Sequence, residues 1–295
     1  MTTPEFTANR ENFCYRHPNR QSFVLCQRCM RTVCPDCQTQ GPVGVICPDC
    51  LKDQRKAESP AQRRARRQWN MRGRGSAVAL TDGPIVTYAI IAVTAFVGLL
   101  QLIPVVGSQV TGFLLFYAPY LFPQIGYFEP WRLFTGALVH GGIWHFALNM
   151  LALFMIGRSL EPMLGRARFL TLYLISTLGG SAAVALLAPM TPVVGASGAV
   201  FGMMGALLVI GRHLGANVTG IAVILAINLA LGFVPGMNIS WQAHLGGIIA
   251  GAVVALIYAR TRRPSQKGAQ IGLLAAFSAL LLVLVFVVAP AIILR

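Results

Sequence analysis

A serine set among glycines, histidines carried on apolar segments and a dense run of cysteines are the residues of this chain whose types and spacing suit chemistry. The serine is Ser197, in Gly195-Ala196-Ser197-Gly198-Ala199-Val200-Phe201-Gly202, at the head of an apolar segment. The preceding turn, Thr191-Pro192-Val193-Val194-Gly195, cannot be helical throughout, so Ser197 is expected at a helix N-terminus. There the first backbone N–H groups are unpaired and the dipole favours negative charge, which suits an alkoxide or a carbonyl oxyanion. A hydroxyl nucleophile needs a base within hydrogen-bond reach. His244 is the candidate: Gly247 and Gly251 follow at i+3 and i+7 and share its helix face. Gly198 and Gly202 give the serine helix a matching smooth surface, and two glycine-lined faces let backbones approach closely enough to join Ser197 to His244. The alternatives are helix packing alone for the glycines, and for His244 a bond to a neighbouring carbonyl. His145 and Asn149 share one helix face, both can donate hydrogen bonds, and they could complete an oxyanion hole with the Ser197 amide. Their alternative role is polar glue between helices. His140 points elsewhere if helical and reads as a structural or loop-anchoring residue.

All seven cysteines lie between Cys14 and Cys50. They form the knuckles Cys14-x2-His17, Cys26-x2-Cys29, Cys34-x2-Cys37 and Cys47-x2-Cys50. With His17 they supply ligands for two tetrahedral zinc ions, and full ligand sets indicate structural sites. A disulfide framework fails because seven cysteines cannot all pair, and because the charge pattern below puts this end in the reducing cytosol. The spacing resembles the B-box type of cross-braced finger. That would join Cys14, His17, Cys34 and Cys37 at one site and Cys26, Cys29, Cys47 and Cys50 at the other; sequential pairing is the alternative. A segment this short has little core, so metal binding is expected to supply its folding energy.

The elements that must position Ser197 and His244 are membrane helices. Of the 295 residues 55% are hydrophobic and 11% charged, with a mean hydropathy of +0.64, and apolar runs of about 20 residues recur, long enough to span a bilayer. Spans are expected over 84–103 and from near His140, Arg168, Ala196, Val218, Trp241 and Gln270, seven in all. Residues 104–139 are broken by Pro104, Pro119, Pro123 and Pro130 and rich in aromatics. They read as a loop in the bilayer interface, closed by Trp131-Arg132 at the headgroups. Glu161 and Arg166 bracket a short loop and are read as helix caps. With the N-terminus cytoplasmic, that side holds Arg166, Arg168, Arg212, Arg260, Arg262, Arg263 and Lys267, leaving Arg132 and Arg295 opposite. The C-terminus is then on the outer side of the cell membrane. His145, Ser197 and His244 fall at similar depth in the outer half, where ionisable groups are functional candidates. The organisation expected is a disordered 1–13, a zinc module 14–50, a basic linker 51–83, a six-helix core 84–260, and a loop with a seventh span at 261–295. The polar start predicts no signal peptide. The net charge of +15 is concentrated in part in Arg63-Arg64-Ala65-Arg66-Arg67, Arg72 and Arg74. Anionic lipid headgroups account for that run without a nucleic acid partner.

No Asp or Glu is expected at depth in a span, which excludes a buried third acid and a paired-aspartate protease and weakens an ion-coupled transporter. The absence of H-E-x-x-H excludes that class of metalloprotease. Taken together, Trp131-Arg132, His140-x4-His145-x3-Asn149, Gly195-Ala196-Ser197-Gly198 and Ala243-His244-x2-Gly247-x3-Gly251 resemble the rhomboid family of intramembrane serine proteases. The resemblance covers about residues 84–260. It implies an all-α, rhomboid-like six-helix core with one added C-terminal helix. It also implies Ser197 as nucleophile, His244 as base, and an oxyanion hole of His145, Asn149 and the Ser197 amide. The activity implied is endopeptidase cleavage of transmembrane-anchored proteins through an acyl-enzyme, with no catalytic cofactor. Many family members carry Tyr where this chain has Phe201, which keeps the ring without the hydroxyl. A non-proteolytic binder of client helices is the rival reading. The zinc module lies outside the family core and is read as a cytosolic cap that recruits a protein partner.

Overall fold

The structure, a computed structural model, describes residues 10–40, 45–57, 59, 83–213, 216–234, 236–237 and 239–293. The expected disorder of residues 1–9, the basic run at 63–74 and Arg295 lie outside them. The chain divides into two compact units, residues 1–79 and 80–295.

The first unit is built from two similar knuckles. Phe13 bridges Gln21 around Cys14 and His17, and Leu25 bridges Thr32 around Cys26 and Cys29. In each, the first cysteine's N–H donates across the knuckle, Cys14 to the Arg20 carbonyl and Cys26 to that of Arg31, both at 2.9 Å. A two-stranded antiparallel sheet, β1 (Thr39–Gln40) with β2 (Val45–Ile46), and helix α1 (Pro48–Ala57) complete the unit. Its core is mostly sulfur: six of the buried side chains are cysteines, joined by Val33 and Val45. So small an apolar core cannot offset the entropy of ordering the chain, which is why such modules rely on metal.

Among the described residues the regular elements of the second unit are helices: α2 (Ile85–Gln101), α3 (Val106–Leu114), α4 (Arg132–Thr135), α5 (Ile143–Leu164), α6 (Arg166–Leu187), α7 (Ser197–His213), α8 (Thr219–Leu231) and α9 (Trp241–Arg260). A last helix, α10 (Lys267–Val283), runs through a π turn at Leu284–Val288 into α11 (Ala289–Ile293). Pro290 lacks an N–H to close the regular ladder there. The helices α5, α6, α9 and the stretch Pro264–Ile293 are long and apolar enough to cross a membrane. The helices α2, α7 and α8 are shorter and also apolar. Large side chains such as Leu99, Trp144, Leu148 and Val287 face outward, while small residues line the helix contacts. That distribution suits lipid, where interfaces form by close backbone packing.

The tightest packing joins α9 to α7 and α6. A Cβ on Gly247 would collide with the Gly198 carbonyl, one on Gly251 with that of Gly202, and one on Gly246 with that of Gly179. The helices can lie this close only because these positions carry no side chain.

The segment 104–139, expected as a loop in the bilayer interface, is more ordered than a plain loop. Its prolines bracket α3, whose nine residues contain none, and two 3₁₀ turns follow at Ala118–Leu121 and Pro123–Ile125. Arg132 does not reach outward to headgroups. It is 3% exposed, donates to the carbonyls of Gly112 and Leu115 at 2.8 and 2.7 Å, pairs with Glu129 and lies over the Tyr120 ring. Burying a guanidinium demands partners for its donors, and the loop's own carbonyls are the nearest acceptors. Glu161 is a cap, though of a distant helix: its carboxylate accepts from the N–H groups of Val86 and Thr87 and from Thr87 Oγ1, at 2.8–2.9 Å, at the start of α2. The last helix is latched by Gln270, which accepts from Arg168 Nε and donates to the Thr261 carbonyl and hydroxyl.

Candidate active site

Ser197 is the first residue of α7. The turn before it is irregular, and several of its backbone groups bond to residues between Phe116 and His140. Phe116 and Val193 exchange both backbone bonds, at 2.9 and 2.8 Å. Gly195 N–H donates to the Gly136 carbonyl at 2.9 Å, and Ala196 N–H donates to His140 Nε2 at 3.4 Å. Non-helical backbone at membrane depth requires such satisfaction. Gly195 has φ +115°, and a Cβ there would lie 2.6 Å from the His145 ring, so both backbone and space call for glycine.

His244 sits in the first turn of α9, whose N-cap Ser240 hydroxyl accepts from Ala243 N–H. His244 is buried, and its Nε2 lies 3.0 Å from Ser197 Oγ. Its ring stacks on Phe201, with centroids 3.9 Å apart and planes 8° from parallel. His244 Nδ1 is buried with no hydrogen-bond partner among the described residues. The ring is therefore oriented by stacking and by the serine, with no carboxylate on Nδ1 among the described residues.

His145 and Asn149 lie on α5. Gly141 N–H donates to His145 Nδ1 at 3.3 Å, which leaves the Nε2 of a neutral ring as the protonated, donating nitrogen. That nitrogen lies against Gly195. Asn149 Nδ2 donates one hydrogen to the His145 carbonyl at 2.8 Å and keeps a second. His140 is drawn into the site by its bond to Ala196 and by edge-on contacts to His145 and Phe146. Its spacing alone gave only an anchoring role, because its partner is 56 residues away. A cleft beside the serine is lined by Gly136, Gly180, Gly195 and Gly198 together with the larger Phe116 and Val193.

In the N-terminal unit the cysteines assemble as interleaved sets. The ligand atoms of Cys14, His17, Cys34 and Cys37 lie within 4.8 Å of one another, as do those of Cys26, Cys29, Cys47 and Cys50. That is the cross-braced pairing, not the sequential one. Burial pushes the Cys14 thiol up, but backbone hydrogen bonds at Cys34, Arg16 and His17 outweigh it and bring it down to about 6. Cys26 is likewise lowered to about 6, with backbone bonds at Cys47, Arg28 and Cys29 overcoming burial. Burial and the neighbouring sulfurs push Cys37 up to about 11 and Cys50 up to about 12. Clustered thiolates repel one another, and a divalent cation bound by each set would relieve that repulsion. The S₃N and S₄ donor sets and their convergence fit zinc.

A family model described as the rhomboid domain matches residues 127–261, the stretch that carries this arrangement. GluP of Bacillus subtilis (strain 168), named a rhomboid protease, is 43% identical over 135 residues, 43% of this chain and 26% of GluP. RHOMBOID-like protein 1 of Arabidopsis thaliana is 39% identical over 137 residues, 44% of this chain and 35% of that protein. The chain thus spans well under half the length of these two curated relatives. YdcA of Bacillus subtilis (strain 168), a rhomboid by its name, is 35% identical over 138 residues, covering 67% of YdcA. With an all-helical membrane unit and a relative matched over two thirds of its length, the chain belongs to the rhomboid family.

Proposed function

We propose that this protein is an intramembrane serine endopeptidase that cleaves transmembrane-anchored proteins with a Ser197–His244 dyad. The observation that carries the reading is the 3.0 Å approach of His244 Nε2 to Ser197 Oγ at a helix N-terminus. His244 Nε2 takes the hydroxyl proton as Oγ attacks the scissile carbonyl carbon. The oxyanion is held by His145 Nε2–H, the free Asn149 N–H and the Ser197 amide. His244 then gives its proton to the leaving amine, and the C–N bond breaks to leave an acyl-serine. Water, deprotonated by His244, adds to the ester carbonyl; collapse releases the acid and returns the proton to Oγ.

The seven helical segments are read as seven spans, with the N-terminus cytoplasmic, the C-terminus outside, and the rhomboid core over 84–260. The two interleaved clusters are read as structural zinc sites in a module over 14–50, with the basic linker on anionic headgroups and a cytosolic protein as the module's partner. Cys14, His17, Cys34 and Cys37 would hold one zinc ion and Cys26, Cys29, Cys47 and Cys50 the other, each ion supplying a structural cross-link; the chain's own contribution is the convergent ligands and the N–H groups that donate to them, such as Arg31 Nε to Cys29 Sγ at 3.3 Å.

Purified protein in liposomes, with a fluorophosphonate probe and a model transmembrane substrate, tests the reading. Labelling and cleavage by the wild type, both absent in Ser197→Ala, are expected, with cleavage also lost in His244→Ala. Cleavage that survives in Ser197→Ala overturns the nucleophile. A folded wild type that binds the substrate helix without cutting or labelling supports the client-binding reading instead.

A further inference from the structure

Gln101, the last residue of α2, pairs with both backbone groups of His140. Its Oε1 accepts from His140 N–H at 3.0 Å, and its Nε2 donates to the His140 carbonyl at 3.1 Å. The same Nε2 donates to Thr111 Oγ1 on α3 at 2.8 Å. One side chain amide thus holds a backbone segment 39 residues away by the two-point pairing that a strand neighbour would supply.

Two further features hold Gln101 in place. Gly107 packs against its backbone so closely that a Cβ there would clash with the Gln101 carbonyl. Val105 turns the chain back toward α3 at φ 67°, a conformation that a β-branched residue adopts only under constraint.

What Gln101 holds is the residue that touches both halves of the candidate site. His140 accepts from Ala196 N–H, immediately before the serine, and its ring meets that of His145 edge-on, with centroids 5.1 Å apart. A His140 backbone released from Gln101 would let both contacts drift. We propose that Gln101 is a positioning residue for the nucleophile turn, holding His140 so that the Ser197 turn and the His145 ring keep their places, with Thr111 tying the interfacial helix to the same clamp. The proposal rests on the reading of Ser197 as nucleophile; its structural half, the clamp on the turn, does not.

The experiment compares full-length wild type, Gln101→Met, Gln101→Glu and Thr111→Val in liposomes. Three quantities are read: fluorophosphonate labelling rate per folded molecule, thermal midpoint, and amide hydrogen exchange of peptides covering 138–141 and 194–197. Gln101→Met keeps the shape and removes all three bonds. It is expected to slow labelling about tenfold, the factor that corresponds to ~1.4 kcal/mol of activation free energy, and to speed exchange in both peptides. Thr111→Val, which loses only the outer bond, is expected to show a smaller effect of the same sign. A folded Gln101→Met with wild-type labelling and wild-type exchange overturns the proposal, as does a lowered thermal midpoint with both other readouts unchanged. If Gln101→Met does not fold, Gln101→Glu, which retains the acceptor for His140 N–H, is read by the same criteria. If the wild type takes no label, the protease reading falls, and exchange at 194–197 still decides whether Gln101 holds the turn.

Discussion

The imidazole of His244 lies flat on the ring of Phe201, 3.9 Å away and 8° from parallel, so an aromatic face takes the orienting role that a carboxylate at Nδ1 has in a triad. Removing that face should loosen the ring without removing the base. Offset aromatic pairs contribute about 0.5–1.5 kcal/mol beyond burial, so Phe201→Leu is expected to slow fluorophosphonate labelling roughly three- to tenfold, with Ser197 still the labelled residue. Wild-type labelling rates in Phe201→Leu would show that the serine contact alone orients His244.

Gly247 faces the Gly198 carbonyl with no room for a methyl group. Gly247→Ala should push α9 away from α7, one residue from the nucleophile. Overpacking of this kind costs about 1–3 kcal/mol. The expected outcome is a lower thermal midpoint together with a disproportionate loss of labelling, because the Ser197–His244 distance opens. Gly272→Ala, at a position where an added Cβ meets nothing within 4 Å, is the control and should match the wild type in both measurements.

Glu161 is 2% exposed and accepts three hydrogen bonds at the start of α2. Glu161→Ala leaves the two Thr87 donors buried and unpaired, at about 1–3 kcal/mol each. A large drop in thermal midpoint is expected, while labelling per folded molecule stays near wild type, since Glu161 touches neither Ser197 nor His244. A variant as stable as the wild type would mean that water reaches the α2 terminus.

The metal clusters predict a stoichiometry and a direction with pH. Two zinc ions per chain are expected, and a strong chelator should abolish the ordered fold of residues 10–40 and 45–57. Cys37 and Cys50, pushed up to about 11 and about 12, are protonated at neutral pH without metal. Zinc binds their thiolates, so binding expels those protons and affinity falls as pH falls. Calorimetry in buffers of different ionisation enthalpy should report at least these two protons released per chain. Zinc uptake without proton release would contradict the thiolate ligation.

Much of this protein is legible in the sequence because it is local. Helical segments follow from runs of apolar residues, and the knuckles follow from pairs of ligands two residues apart. The glycine faces at Gly198 and Gly202, and at Gly247 and Gly251, follow from helical periodicity and already point Ser197 toward His244. The helix α3 is less legible, because the flanking prolines dominate the reading of its segment.

What only the tertiary structure decided are relations between residues far apart in the chain. The cysteine spacing fits both sequential and interleaved pairing, and the choice depends on how the knuckles cross in space. Arg132 carries no sign in the sequence that it turns inward to the Gly112 and Leu115 carbonyls. Glu161 reads as a cap, but its helix lies 74 residues earlier. The nucleophile turn is pinned by Phe116, Gly136 and His140 through backbone atoms, which every residue type possesses. A backbone contact leaves no side-chain signature, so the scaffold that holds Ser197 emerges only when the chain is folded.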